Sequence, residues 1–248
     1  IINSINALIS MTHRGGVGSD GKTGDGCGLL FDIDKKYFNY VISQEQNIDL
    51  GEHFAIGQLF FTGDVLTILT KINKILKSEN LQLITFRNVP VNRDVLGKIA
   101  LDCIPNIYQL FIKQLEESSN QDTFETSLIQ ARKFIEEIFM DDEKLYFCSM
   151  SSKTIVYKGL MLPNAIKEFY LDLNQDNFRA STCVFHQRFS TNTSPRWHLA
   201  QPFRLLAHNG EINAIRGNRN WVQARSSKFI TSYIPKIQQF KQLVNETG

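Results

Sequence analysis

Two short strings in the C-terminal third carry side chains suited to chemistry. His208-Asn209-Gly210-Glu211 follows a strand-like apolar run and sets two different donors side by side. A glycine N–H can approach a reacting carbonyl closely because no Cβ intervenes, and the Asn carboxamide adds a second neutral donor. Such a pair can form an oxyanion hole, which an acyl-transfer intermediate needs. An isolated Asn-Gly is more commonly a hairpin turn, since both residues tolerate positive φ.

The second string is His186-Gln187-Arg188-Phe189-Ser190-Thr191-Asn192-Thr193, an arginine ahead of a cluster of hydroxyl and amide side chains. A guanidinium grips a planar carboxylate through two parallel hydrogen bonds, and Ser190, Thr191 and Asn192 can bind an ammonium or an amide. Taken alone, the cluster also fits a structural ion pair. Arg188 and Asn209 flank one polar, proline-containing loop between two expected strands, Cys183–Phe189 and Phe203–Ala207. Both can therefore face a common pocket.

Other candidates weaken on inspection. The glycine-rich run Thr12–Gly28 contains Gly16–Thr23, which fits GxxxxGKT as a string. A phosphate loop follows a strand and opens a helix. Here a helical pattern precedes the string, and a turn and then a strand follow it. His13, His53 and His198 show no metal spacing and read as structural. Cys27, Cys103, Cys148 and Cys183 include no CxxC pair, which speaks against a structural zinc or a disulfide scaffold and suits a reducing compartment. Cys27 has no histidine beside it to act as a base, so it reads as a buried thiol at a strand entrance.

The positioning elements follow from apolar spacing. Ile2, Ile5, Leu8 and Ile9 mark a helix before Met11, and Leu29–Phe31 is a buried run. Strands are expected at His53–Phe61, Leu81–Phe86 and Ile107–Ile112, with a helix at Val65–Lys77. Asp122–Met140 is the clearest amphipathic helix, with Phe124, Leu128, Ala131, Phe134, Ile135 and Ile138 on one stripe. Leu145–Met150 and Thr154–Tyr157, split by Ser151–Lys153, read as a hairpin. Mixed helices and strands with antiparallel pairing point to an α/β or α+β domain.

The 248 residues suffice for one large domain with a buried core, and neither repeats nor low-complexity linkers divide them. A 42% hydrophobic and 21% charged composition is ordinary for a soluble globular chain. No apolar run approaches a bilayer span, and no secretory leader is visible at Ile1, so neither a membrane nor export is expected. The net charge of +2 hides an asymmetry. His186–Lys228 carries seven Arg/Lys against the single acid Glu211, leaving 20 basic and 24 acidic residues elsewhere. A basic segment of this kind can serve an anionic substrate, nucleic acid or internal pairing.

Taken together, several strings closely resemble the large-subunit amidotransferase domain of glutamate synthases. They are MTHRGGVGSDGKTGDGCGLL, VPVNRDVLGKIAL, IPNIYQLFI, YKGLMLP, FYLDL, FHQRFSTNTSPRWHLAQPFRLLAHNGEINAIRGNRNW and the closing VNETG. The resemblance runs from Ile5 to Gly248. It implies an α+β, N-terminal-nucleophile hydrolase fold, a four-layer αββα sandwich of two mostly antiparallel sheets. Glutamine would be hydrolysed through a γ-glutamyl thioester, and the ammonia would pass through a tunnel to a synthase domain that aminates 2-oxoglutarate. By motif, Arg188 resembles the residue that holds the glutamine α-carboxylate. Ser190, Thr191 and Asn192 resemble the glutamine-binding segment, and Asn209 and Gly210 the oxyanion hole.

Two departures bear on activity. The family's nucleophilic N-terminal cysteine is expected upstream of Ile1, and an Asp that binds the substrate amino group is expected beyond Gly248. The 248 residues thus read as one class II amidotransferase domain cut at both ends, inactive alone. No internal cysteine can substitute, because a free α-amino group with a pKa of ~8 serves as base for its own side chain. The resemblance implies no cofactor or metal in this domain. It implies FMN and an iron–sulfur cluster in the intact enzyme, with FAD in a partner subunit. Expected partners are glutamine, downstream synthase domains of the same polypeptide and a small reductase subunit. The expected setting is cytoplasmic, a bacterial cytosol or a plastid-like compartment. Two rival readings remain: another class II amidotransferase, or a basic nucleic-acid-binding module that uses RGNRNWVQARSSK.

Overall fold

The computed structural model describes residues 1–116, 121–139, 145–188, 195–204 and 214–243. In chain order the elements are α1 (Ile2–Ser10), β1 (Cys27–Asp32), α2 (Lys35–Gln46), β2 (Ala55–Phe61), α3 (Val65–Ser78), β3 (Leu81–Asn88) and the single turn α4 (Lys98–Leu101). Then follow β4 (Asn106–Gln114), α5 (Gln121–Ile138), β5 (Leu145–Ser151), β6 (Thr154–Gly159), the single turn α6 (Ile166–Phe169), β7 (Cys183–His186) and α7 (Arg216–Arg225).

Local chemistry sets several of these boundaries. The Asp34 carboxylate accepts from the Tyr37 N–H at 3.0 Å and Asp64 from the Thr67 N–H at 2.8 Å, so aspartates cap α2 and α3. Asn47 ends α2 in the left-handed region, at φ 58°. On α5, Phe124, Leu128, Ala131 and Ile135 are buried as the stripe requires. Ile138, the last helical residue, is 55% exposed, and the buried face continues instead through Phe139.

The strands form two antiparallel sheets, ordered β3-β4-β2-β5 and β6-β1-β7. One apolar cluster joins Leu29, Phe31 and Tyr157 of the smaller sheet to Ile56, Phe60 and Phe111 of the larger. A second joins the larger sheet to Ile68, Ile72 and Leu76 of α3 and to Leu128 and Ile135 of α5. Ile5 and Leu8 of α1 enter the first cluster, and α1 packs on β7. The chain is therefore α+β, with two antiparallel sheets face to face and helices against them.

The expected hairpin at Leu145–Tyr157 is not one. β5 pairs with β2 and β6 pairs with β1, so the chain crosses from one sheet to the other at Ser151–Lys153. The burial explains it: inner β5 and almost all of β6 are buried on successive residues rather than alternately, so each strand is covered on both faces. Glu125 of α5 secures the crossing by accepting from the Ser151 hydroxyl at 3.0 Å and the Ser152 N–H at 2.6 Å. The expected strand Phe203–Ala207 is also corrected where it is described. Phe203 and Arg204 lie outside any strand, following Pro202, which has no N–H to give a ladder. Leu205–Ala207 fall outside the described residues.

Candidate active site

The site is built at the end of β7. This strand lies along β1 with Gly28 opposite His186 and Phe31 opposite Cys183. Its register delivers Gln187 and Arg188 just past the sheet. Gln187 is buried at 6% exposure, whereas Arg188 is exposed and its backbone N–H donates to His186 Nδ1 at 3.1 Å. An exposed guanidinium two residues beyond a strand is of the type that can grip a carboxylate.

Beneath it lies the glycine-rich segment. Gln187 Nε2 points at the Thr12 carbonyl at 3.5 Å, and a Cβ on Gly15 would lie 2.2 Å from that nitrogen. A side chain at 15 would therefore force the Gln187 carboxamide to move. Gln187 Oε1 is buried without a partner. The GxxxxGKT string does not cradle phosphate. The Asp20 carboxylate already accepts from the N–H groups of Lys22 (3.1 Å), Thr23 (2.8 Å) and Ile99 (3.0 Å) and from the Thr23 hydroxyl (2.6 Å). These bonds hold the Asp20 carboxyl far below the usual carboxylate range. The amides that would face an anion are taken, and β1 follows rather than a helix.

The segment 195–204 returns across the smaller sheet. Trp197 is buried, its Nε1 donates to the Ala100 carbonyl at 3.1 Å, and its ring meets Phe60 edge-on at 5.9 Å. A Cβ on Gly159 would meet that ring at 2.4 Å, and one on Gly28 would meet the Gln201 carbonyl at 2.7 Å. Lys158, fully buried, donates to the His198 carbonyl at 2.8 Å.

None of the four thiols is primed for attack. Burial, with Asp25 nearby, drives Cys27 far above the ordinary thiol range, and burial pushes Cys148 up to about 12. Cys103 and Cys183 are also raised, again chiefly by desolvation. A raised pKa leaves little thiolate at neutral pH, and the thiolate is the nucleophile.

Of the residues singled out from sequence, the structure thus places Arg188. Ser190, Thr191, Asn192, Asn209 and Gly210 lie outside the described residues. Gln187 and Lys158 received no role from sequence. The available signal was a polar side chain inside an apolar strand. The basic stretch suspected of binding nucleic acid forms α7, which exposes Arg216, Arg225 and Trp221, with the Arg225 guanidinium 5.2 Å from the indole.

Comparison with known proteins bears on this arrangement. The family model described as "Glutamine amidotransferases class-II" matches residues 1–248. The chain is 43% identical over 229 residues to ferredoxin-dependent glutamate synthase 1, chloroplastic/mitochondrial, of Arabidopsis thaliana, which covers 89% of this chain and 14% of that protein. It is 38% identical over 248 residues to the glutamate synthase (NADPH) large chain of Bacillus subtilis, with 97% of this chain and 16% of that protein aligned. With glutamate synthase (NADH) of Saccharomyces cerevisiae it shares 38% identity over 255 aligned positions, 97% of this chain and 12% of that protein. The chain therefore spans only a small part of the length of these relatives.

Proposed function

Because this chain belongs to the class II glutamine amidotransferases, we propose that it is the glutamine-hydrolysing part of a glutamate synthase. The observation that carries the reading is Arg188, an exposed residue just past the end of the edge strand β7, within a whole-chain family match. Arg188 takes the glutamine α-carboxylate, and Ser190, Thr191 and Asn192 line the substrate. The Asn209 side chain and the Gly210 N–H receive the oxyanion as a thiolate adds to the γ-carboxamide. The thiolate comes from an N-terminal cysteine outside these 248 residues, since all four cysteines within them are raised. Loss of ammonia leaves the thioester, and water then releases glutamate.

In this reading the ammonia is used by downstream synthase domains of the same polypeptide to aminate 2-oxoglutarate. FMN and an iron–sulfur cluster, with FAD in a small reductase subunit, belong to those other parts. No helix among the described residues is long and apolar enough to cross a membrane.

The test is ammonia release from glutamine by the intact polypeptide and its Arg188→Ala variant. Loss of a bidentate carboxylate contact should lower kcat/KM by ~100-fold or more, mostly through KM, because the α-carboxylate does not change during the reaction. An intact polypeptide that releases no ammonia overturns the reading.

A further inference from the structure

We propose that Lys158 is a positioning residue for the glutamine site: its buried ammonium clamps the segment 195–204, which lies within the stretch of chain between Arg188 and Asn209. The inference rests on the functional reading above and names a residue that reading does not use. Lys158 sits on β6 with no exposed surface. Its ammonium donates to the His198 carbonyl at 2.8 Å and to the Tyr146 hydroxyl at 3.2 Å, and it lies 4.7 Å and 5.1 Å from the ring centres of Tyr146 and Phe203. Among the described residues no carboxylate forms an ion pair with it. A buried charge held by dipoles and aromatic faces is a costly way to fill space, and a methionine would pack there more cheaply. What the ammonium adds is direction. It binds one chosen carbonyl of the crossing segment and ties that carbonyl to both sheets, through β6 and through Tyr146 on β5.

The His198 ring also lies 5.6 Å from that of Tyr146, and further attachments of the segment lie on either side of it. Trp197 is bonded to Ala100, and Arg204 reaches the Phe147 carbonyl and lies 3.6 Å from Glu136. Releasing His198 therefore loosens the middle of the segment while its far end stays attached. The expected damage falls on the Arg188 side, on substrate binding more than on the chemical step.

The experiment uses the intact polypeptide and two variants, Lys158→Met and Tyr146→Phe. Three quantities are measured: glutamine-dependent ammonia release, glutamate formation from added ammonium salt, and amide hydrogen exchange across residues 195–204. Lys158→Met should raise the glutamine KM ~10-fold with kcat within ~3-fold, and Tyr146→Phe should shift KM the same way by less. Ammonium-dependent glutamate formation should be unchanged, and exchange should quicken in 195–204 alone. Unchanged exchange there, or an unchanged KM, overturns the inference. So does a kcat loss that merely tracks the folded fraction. If Lys158→Met does not fold, Tyr146→Phe decides by the same criteria. Wild-type protein lacking glutaminase activity sinks the functional reading instead, while the exchange measurement still judges the clamp.

Discussion

Two buried cations sit in the seam between the sheets and are treated in opposite ways. Arg87 on β3 is bonded on every side: Asp172 at 2.5 Å, Gln109 at 2.7 Å and Glu45 at 3.2 Å. Asp172 in turn accepts from Tyr37 at 3.0 Å and from Tyr157 at 2.7 Å, and Gln109 donates to Tyr157 at 2.8 Å. Lys158 has a carbonyl, a phenol and two aromatic faces. The first cluster is a closed lock between sheets and helix α2. The second has no ion-paired carboxylate among the described residues and divides its donors between the crossing segment and Tyr146. Arg87 is paired for cohesion, whereas Lys158 is placed to hold a backbone carbonyl.

The comparison breaks most visibly at Asp172. Asp172→Ala strands the Arg87 guanidinium and two phenols in the core, and should cost about 3–5 kcal/mol in a denaturant titration. A loss below ~1 kcal/mol would show that the lock carries no weight. Asp172→Asn keeps the shape and some of the hydrogen bonds and should lie between the two.

Gly159→Ala probes the other side. The new methyl meets the Trp197 ring, which is wedged against Phe60 and Phe169, so the ring must move. Overpacking of this kind should cost ~1–3 kcal/mol and quench or shift the fluorescence of the buried Trp197, leaving the Arg87 cluster untouched. An unchanged melt and spectrum would mean that the segment yields easily and is not clamped.

The difference between the clusters also marks how far sequence could reach. Helices α1, α3 and α5 were legible because each buries one periodic face, and strands β2, β3 and β4 because each is a short apolar run; both signals are local. The crossing at Ser151–Lys153 was not. Two short apolar strands with a three-residue connection satisfy a hairpin and a sheet-to-sheet crossing equally, and the choice is made by Glu125, distant in sequence. Arg188 stood out in the sequence because its neighbours are polar and its motif is specific, and its role is the proposal made above. Lys158 was passed over: the expected strand stops at Tyr157, and three-dimensional packing reveals that the lysine has no contact with solvent.

Lys35 offers a smaller, pH-dependent contrast. Its ammonium lies 4.0 Å from the Phe54 ring centre, and burial lowers it to about 8. The folded state therefore binds this proton more weakly than the unfolded chain, whose lysine titrates near 10.4. The penalty is fully present below pH 8 and is relieved as pH rises from 8 to about 10.4. Raised thiols and tyrosines pull the other way, since the unfolded chain gives up those protons first. The difference between Lys35→Met and wild type isolates the lysine: the variant should be ahead by ~1–3 kcal/mol at pH 7, and its advantage should shrink towards pH 10. A constant difference across that range would assign the effect to packing.

The smallest effect comes from Gln58, which sharpens the contrast within one row of the larger sheet. Arg87 pairs in register with Gln109, Gln109 with Gln58, and Gln58 with Ser149, so one polar side chain from each of four strands lies in line. Gln109 is used at both ends of its carboxamide, whereas Gln58 is fully buried with neither its nitrogen nor its oxygen bonded. Being next to a satisfied network does not make a polar group part of it. Gln58→Met keeps the length and removes both orphaned atoms, so the variant should equal wild type or gain ~1 kcal/mol in a thermal melt. Gln109→Met, one strand away and similar in shape, should instead lose ~2 kcal/mol or more, because Arg87 Nε and the Tyr157 hydroxyl each lose a partner. If the two variants melted together, the division between closed lock and open donor would fail at the row where it is easiest to measure.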